Sequence, residues 1–418
     1  MSQEIHQALI TNDAVVLGLL AIILGGIFVT HASPHPFWRR FYTVIPAVLL
    51  CYFLPSLLNT FGIVDGHESR MYHVSTRYLL PACLVLLTIS IDFKAIIALG
   101  PKALIMFLTG TFGIVIGGPI AILLMSMVYP DAVGGAGPDA VWRGMTTVAG
   151  SWIGGGANQA AMKEVYEVGD KIFSSMVTVD VIVANIWMAC LLMMAGRAKQ
   201  IDAKVGADSS AIEALKDKVE AYHAEHARIP TGTDLMKIVA WGFGITGLAH
   251  FGADFLGPWF AENYPALKPY SVHSKFFWLV VIATTVGLSL SFTRVRHIEA
   301  AGASKLASVM IYILVASIGL HMDITAIAKS PQYFVVGMIW MAIHASLMLI
   351  VARLIKAPLF FMAVGSQANV GGAASAPVVA SAFHPSLAPV GVLLAVLGYA
   401  LGTYMAWLCG QLMQIVAP

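Results

Sequence analysis

The chain has 418 residues, of which 58% are hydrophobic and only 11% charged, against roughly 25% charged in an ordinary soluble domain. That balance excludes a soluble globular protein and points to an all-α polytopic membrane protein. The net charge of +2 is scattered over loops and leaves no footprint for nucleic acid.

Residues 1–13 hold no Lys or Arg ahead of the first apolar run, so they do not read as a cleaved signal peptide. Apolar segments of about 20 residues, enough to cross a bilayer, are predicted near 14–30, 42–62, 78–98, 101–128 and 172–196. A Gly-rich region at 143–165 lies between the last two. The segment at 101–128 carries Gly113-x-x-x-Gly117, a spacing that lets helices approach closely. Residues 197–233 are the only long polar stretch. Within them Ser210-Ala211-Ile212-Glu213 fits a capping box. Ile212, Leu215, Val219 and Tyr222 then share one helical face. The spacing predicts an amphipathic cytoplasmic helix joining two membrane halves. Further spans are predicted at 237–257, 275–293, 305–328, 331–354 and 387–413, with a second Gly-rich region at 358–383. The last span carries Gly398-x-x-x-Gly402. Cys51, Cys83, Cys190 and Cys409 lie in or beside apolar segments without C-x-x-C spacing and read as packing residues.

The two halves look duplicated. Thr88-Ile89-Ser90-Ile91-Asp92 before Pro101 parallels Ser317-Ile318-Gly319-Leu320-His321-Met322-Asp323 before Pro331. Trp187-Met188-Ala189 parallels Tyr404-Met405-Ala406. The expected organisation is a first membrane repeat at 1–196, a linker at 197–233 and a second repeat at 234–418. If each Gly-rich region crosses the membrane, the halves have six crossings each and run parallel. If each dips in and returns, the halves have five crossings each and are inverted. With the linker cytoplasmic, the inverted arrangement puts 16 of the 24 Lys and Arg residues inside and the parallel one 15. The positive-inside rule therefore supports a cytoplasmic linker and leaves both arrangements open. Paired broken segments at the bilayer midplane favour the inverted one.

The two Gly-rich breaks organise the functional reading. The first is Gly150-Ser151-Trp152-Ile153-Gly154-Gly155-Gly156-Ala157-Asn158-Gln159. The second is Gly365-Ser366-Gln367-Ala368-Asn369-Val370-Gly371-Gly372-Ala373-Ala374-Ser375. Lipid offers no hydrogen bonds to a broken backbone, so such breaks persist only where protein or a wet cavity satisfies them. Glycines alone can serve close helix packing, but packing does not call for the added Ser, Asn and Gln. Ser151, Asn158, Gln159, Ser366, Gln367, Asn369 and Ser375 are therefore the candidate substrate-binding residues. Gly154, Gly155, Gly156, Gly371 and Gly372 are the candidate hairpin glycines. Half-helix N-termini at such breaks attract carboxylates without a buried cation. Simple capping of the broken helices is the competing role for these side chains.

Asp180 is the only acidic residue well inside an apolar segment, a functional candidate by default. It is expected to hold a coupling cation, Na⁺ or H⁺, with Ser151 and Asn158, and Asn185 is a weaker candidate. A protonated or hydrogen-bonded structural Asp is the alternative. Asp92 and Asp323 lie near segment ends. His250, His321 and His344 read as hydrogen-bonding packing residues without metal-ligand spacing. Trp152 and Trp187 either line a cavity or pack.

The Gly-Ser-x-x-Gly-Gly-x-x-Asn stretch, the second Asn-x-Gly-Gly stretch and the Gly-Val-Leu-Leu-Ala-Val-Leu-Gly-Tyr-Ala-Leu-Gly run resemble the YjcL-like family of bacterial membrane proteins, a family of unknown function. The layout is more distantly similar to sodium/glutamate symporters and 2-hydroxycarboxylate transporters. That similarity implies two inverted halves, each with a Gly-rich re-entrant hairpin, an elevator mechanism and a homodimer. The second break departs from the Gly-Gly-x-Gly hairpin signature, reading Gly371-Gly372-Ala373-Ala374. The expected function is secondary active transport of a small organic anion, amino acid or related metabolite in a bacterial inner membrane. No Walker A motif is present, and no enzyme activity or tightly bound cofactor is expected. A passive channel and an intramembrane enzyme are the alternatives.

Overall fold

The computed structural model describes residues 9–45, 47–66, 68–207, 212, 230–321, 331–384 and 387–418. Apart from Ile212, the amphipathic stretch expected in the linker lies outside the described residues, as does Asp323. Among the described residues the chain is helical, with one isolated bridge between Ile10 and Val64 and no strand.

In the first half the helices are α1 (Asp13–His31), α2 (Pro36–Val44), α3 (Ala47–Thr60), α4 (Met71–Ile89), α5 (Phe93–Ala98) and α6 (Pro101–Val128). The broken α7 (Val141–Val165), α8 (Asp170–Ala195) and α9 (Ala198–Val205) follow. The second half has α10 (Gly232–Asn263), α11 (Lys275–Leu290), α12 (Ala303–Gly319), α13 (Gln332–Leu354), α14 (Leu359–Val370), α15 (Gly372–Phe383) and α16 (Ala388–Val416). Among the described residues seven helices are long and apolar enough to cross a membrane, or nine if two bent pairs count as spans, and α12 is a shorter apolar helix. At about 1.5 Å per residue, the 28 residues of α6 reach roughly 42 Å, beyond the roughly 30 Å hydrocarbon core. The outward faces of α1 and α10 are apolar, with Ile22 73% and Phe251 78% exposed. Such a surface suits lipid and not water. Interfacial aromatics gather at Phe37, Trp38, Phe41 and Tyr42 beside Arg39 and Arg40, and at Trp259, Tyr264 and Trp278.

Both Gly-rich regions fold back on themselves. In α7 the backbone breaks at Gly155 (φ 72°, ψ −172°), a conformation essentially restricted to glycine. The Trp142 and Tyr166 rings, one at each end of α7, meet with centroids 5.8 Å apart, and Arg143 donates to the Tyr166 carbonyl. A straight helix would set these ends roughly 36 Å apart. A methyl group at Gly150 would sit 2.6 Å from the Asn158 carbonyl oxygen, so the two arms touch along their length. In the second region Gly372 has φ +58° and the Phe360 and Phe383 rings meet at 5.4 Å. We refer to residues 141–165 as hairpin 1 and residues 359–383 as hairpin 2.

The hairpins have their bases at opposite ends of the bundle. The Tyr166 hydroxyl donates to the Trp407 carbonyl, late in α16, and the Trp407 indole donates to the Tyr270 carbonyl. That is the end away from the linker. The base of hairpin 2 lies at the linker end, where the Leu359 amide donates to Asp202 of α9 and Lys102 donates to the Lys356 carbonyl.

The helices sort into two bundles that each draw on both halves. One contains α1, α3, α4, α10, α11 and α12; the other contains α6, hairpin 1, α8, α13, hairpin 2 and α16. Glycines set the closest contacts in the second bundle. A side chain at Gly117 would strike Trp340 of α13, and one at Gly402 would strike Gly154 and Asn158 of hairpin 1. The two GxxxG spacings thus serve helix packing. In the first bundle Pro81 leaves the Arg77 carbonyl without its helical donor, and His250 of α10 bonds it at 2.7 Å. A carbonyl only accepts, so Nε2 of His250 carries the proton. His250 is a packing residue, as expected.

Candidate functional site

The tips of the two hairpins meet. A methyl group at Gly372 would lie 3.9 Å from the Gly155 Cα. The Tyr399 ring of α16 closes over Gly155, within 3.4 Å of where a side chain would start, and Ile311 of α12 stands 3.7 Å from the same point at Gly156. Ser151, Gly155, Gly156, Gly371, Ala373 and Ser375 keep partial exposure around this junction. The second arm of each hairpin begins here, so two helix N-termini, whose first N–H groups have no partner within their own helix, converge from opposite ends, and the Ala373 N–H bonds the Tyr399 hydroxyl.

Asn158 and Asn369 do not face this opening. Both have no exposed surface. Asn158 donates to the Gly154 and Tyr399 carbonyls, at 3.1 Å each, and accepts from Thr403 at 2.7 Å. Asn369 donates to the Gly365 and Phe107 carbonyls and accepts from Thr111 at 2.7 Å. Each amide clamps its hairpin to a full-length helix, α16 or α6. The two are not equivalent, since Asn158 follows its positive-φ glycine and Asn369 precedes its own. In this conformation protein atoms, not water, satisfy both amides. Asn158→Ala and Asn369→Ala are therefore expected to destabilise the fold by about 1–3 kcal/mol each, the cost of stranding buried partners. Thermal unfolding in detergent measures this, and an unchanged midpoint for both would contradict the clamp.

Ser366 is buried too. The Trp187 indole donates to its oxygen at 2.8 Å, and His344 Nε2 lies 2.8 Å away. His344 Nδ1 contacts the Gly110 carbonyl at 3.1 Å, so Nδ1 carries the proton and Ser366 donates to Nε2. Trp187, Ser366 and His344 thereby tie α8, hairpin 2 and α13 together. Gln367 donates to Ser375 at 2.8 Å across the second break, and its Oε1 is buried without a partner among the described residues.

Asp180 lies in α8, buried, beside the first arm of hairpin 1. Gln159 Nε2 donates to its carboxylate at 2.8 Å, while Gln159 Oε1 accepts from Tyr52 of α3 at 3.0 Å. Ser151 and Trp152 border the same carboxylate, but the Trp152 indole N–H falls outside hydrogen-bond geometry. Ser151 and Gln159 thus lie at Asp180, with Gln159 in the place expected for Asn158, which has separate partners. The firm contact is an N–H donor, which suits a carboxylate and opposes a metal cation. Among the described residues no Lys, Arg or His forms an ion pair with Asp180, and no cluster of His, Cys, Asp or Glu could hold a metal ion. Asn185 bonds the Val181 carbonyl of its own helix. Asp92 caps α5 through the Ala95 amide and pairs with Arg296, a helix-end role.

Tyr52, Tyr399, Thr111 and Thr403 carry no polar pattern in their sequence neighbourhoods. Tyr52 reaches the site from α3, Thr111 from α6, and Tyr399 and Thr403 from α16.

The chain is similar to an "Uncharacterized membrane protein YjcL" of Bacillus subtilis (strain 168), with 24% identity over 362 residues that cover 82% of this chain and 84% of that protein. A multi-pass membrane protein is thus supported by both the helices and the relative. The model of the family described as "Protein of unknown function (DUF819)" matches residues 18–416. With that match spanning nearly the whole chain, and both hairpins inside it, the chain belongs to this family.

Proposed function

We propose that the protein is a secondary active transporter of a small organic anion, amino acid or related metabolite in a bacterial cytoplasmic membrane. The observation that carries this reading is the meeting of two folded-back hairpins whose bases lie at opposite ends. Their arrangement favours two inverted repeats, 1–196 and 234–418, joined by a cytoplasmic linker at 197–233. Discontinuous segments meeting at the centre of inverted repeats are the usual site of substrate in such folds. The paired helix N-termini favour a negatively charged group on the substrate. Hairpins held in one bundle, against the bundle of α1, α3, α4, α10, α11 and α12, suit an elevator motion of the hairpin bundle past the other. The apolar outer faces of α1 and α10 would then serve lipid contact and homodimer assembly.

The coupling ion in this reading is a proton carried by Asp180, because the group bound to the carboxylate is an amide donor. An enzyme is disfavoured. The Ser366–His344 pair is the nearest approach to a nucleophile and base, yet Ser366 and His344 have no exposed surface and the other imidazole nitrogen faces a backbone carbonyl. A passive channel is disfavoured because the hairpin tips touch.

Two experiments test the reading. Single cysteines at positions 5, 215 and 416 are expected to label with 5 and 416 on one face and 215 on the other. All three on one face would exclude inverted repeats. Purified protein screened by thermal shift against organic anions and amino acids, with Na⁺ and with K⁺ and across pH, is expected to yield a ligand that raises apparent stability. Reconstituted protein should then accumulate that ligand against its gradient. Equilibration without accumulation would make the protein a channel.

A further inference from the structure

The two ends of the hairpin pair are not alike. At the end away from the linker, hairpin 1 finishes in Lys163 and Glu164. Lys163 Nζ lies 2.7 Å from Asp170 Oδ1 and donates to the Tyr72 hydroxyl at 2.8 Å. It also sits over the rings of Tyr72 and Phe173, 4.6 and 5.3 Å from their centroids, close enough for cation–π attraction. Tyr72 donates in turn to Glu164, and Arg77 pairs with Glu164 at 3.2 Å. The His321 ring packs on Tyr72 with centroids 4.4 Å apart. Two cations and two anions balance within the cluster. Lys163 and Glu164 are largely covered, with side-chain exposures of 7% and 12%.

This cluster crosses between the bundles. Lys163, Glu164 and Asp170 belong to the hairpin bundle, and Tyr72 and Arg77 belong to α4 in the other. Arg77 lies in a π-helical stretch, Ser75–Leu79, a departure from α-helix that is frequent at functional sites. The Ser75 hydroxyl in that stretch is buried without a partner among the described residues. Counting from the positive-φ glycines, Lys163 and Glu164 correspond to Ala380 and Ser381 in hairpin 2, which carry no charge. The second arm of hairpin 2 instead leaves Val378 and Ala382 exposed and Ser375 partly exposed along one side, from near the tip toward the linker end.

We propose that Tyr72, Arg77, Lys163, Glu164 and Asp170 form a one-sided gate. It fastens hairpin 1 to the bundle that contains α4 and shuts the far end, while the hairpin tips stay accessible from the linker end. The proposal rests on the alternating-access reading above and assigns the conformation as open toward the linker. A gate of balanced charges suits a joint that must open. Each ion regains water on separation, which offsets much of the lost attraction. An apolar seam in the same place would leave exposed hydrophobic surface in the open state.

The test uses a Ser375→Cys reporter in full-length protein with Cys51, Cys83, Cys190 and Cys409 replaced by alanine. A membrane-impermeant maleimide is applied to intact cells and to inverted vesicles. In the parent, labelling is expected from the linker side only. Glu164→Gln, and separately Tyr72→Phe, should raise labelling from the far side roughly tenfold, the change that about 1.4 kcal/mol produces. Arg77→Glu combined with Glu164→Arg should restore the one-sided pattern, which a merely structural contact would not require. Unchanged sidedness in both single variants, each folded by gel filtration, overturns the gate and leaves the transport reading standing. Equal labelling of the parent from both faces overturns the gate and alternating access together.

Discussion

Asp180→Asn is expected to abolish accumulation of substrate driven by a proton gradient, by two orders of magnitude or more in initial rate, while the protein remains folded. A carboxylate at membrane depth costs about 2.5–3.5 kcal/mol on insertion scales. Here one amide donor at 2.8 Å and the neighbouring Ser151 offset part of that cost, without a cation. Protonation removes the charge, and with it the main reason for Gln159 to keep its NH₂ turned toward α8. The amide oxygen of Gln159 is held by Tyr52 across the boundary between the bundles. The ionisation state of Asp180 is therefore linked, through one side chain, to a contact that an elevator motion must break. Asparagine keeps the shape and one acceptor oxygen for Gln159, so folding should survive. Exchange of substrate across the membrane, which needs no net proton movement, should survive better than accumulation. If Asp180→Asn accumulates substrate with unchanged pH dependence, coupling lies elsewhere and the carboxylate is a structural anchor.

The linear features of the fold were legible because they are local. Span lengths and the two Gly-rich breaks follow from runs of neighbouring residues, and most of the helices fall close to the expected segments. The exceptions are instructive. The third span begins at Met71, ahead of the expected 78, because Tyr72 and Arg77 are held by charged partners that hydropathy does not weigh. The pairing of Asn158 with Asn369 rested on similar neighbours, but the two stand on opposite sides of their positive-φ glycines. A repeat matched by composition can thus miss the register that φ values reveal. The same limit hid Tyr52 and Tyr399. A tyrosine in an apolar helix looks alike whether its hydroxyl meets lipid headgroups or a glutamine 107 positions along the chain. The missing donor at Pro81 was readable in principle, since a proline inside a helix always frees a carbonyl. Which side chain takes that carbonyl was set by tertiary packing alone.

Gly155→Ala is expected to cost far more function than Gly372→Ala, although both glycines sit at hairpin tips with positive φ. At Gly155 the pair φ 72°, ψ −172° lies in a region that L-residues essentially do not occupy, with a penalty of about 1–3 kcal/mol. The added methyl would also stand 3.4 Å from the Tyr399 ring, so the tip has little freedom to shift sideways. The chain would relieve the strain by rotating residues 154–157, and that moves the N–H groups that open the second arm. At Gly372 the φ of +58° also strains an L-residue, but the nearest atom to a new methyl is the Gly155 Cα at 3.9 Å, an ordinary contact, so the tip has room to adjust. Binding of whichever anion the thermal-shift screen identifies should weaken by about two orders of magnitude in Gly155→Ala, equivalent to roughly 2.8 kcal/mol, and by less than about tenfold in Gly372→Ala. The unfolding midpoint should fall in Gly155→Ala as well, so affinity is measured on the folded fraction isolated by gel filtration. Equal losses in the two variants would mean that bulk at the junction, and not backbone geometry at the first break, sets the site. Full binding in Gly155→Ala would place the substrate away from the first hairpin tip.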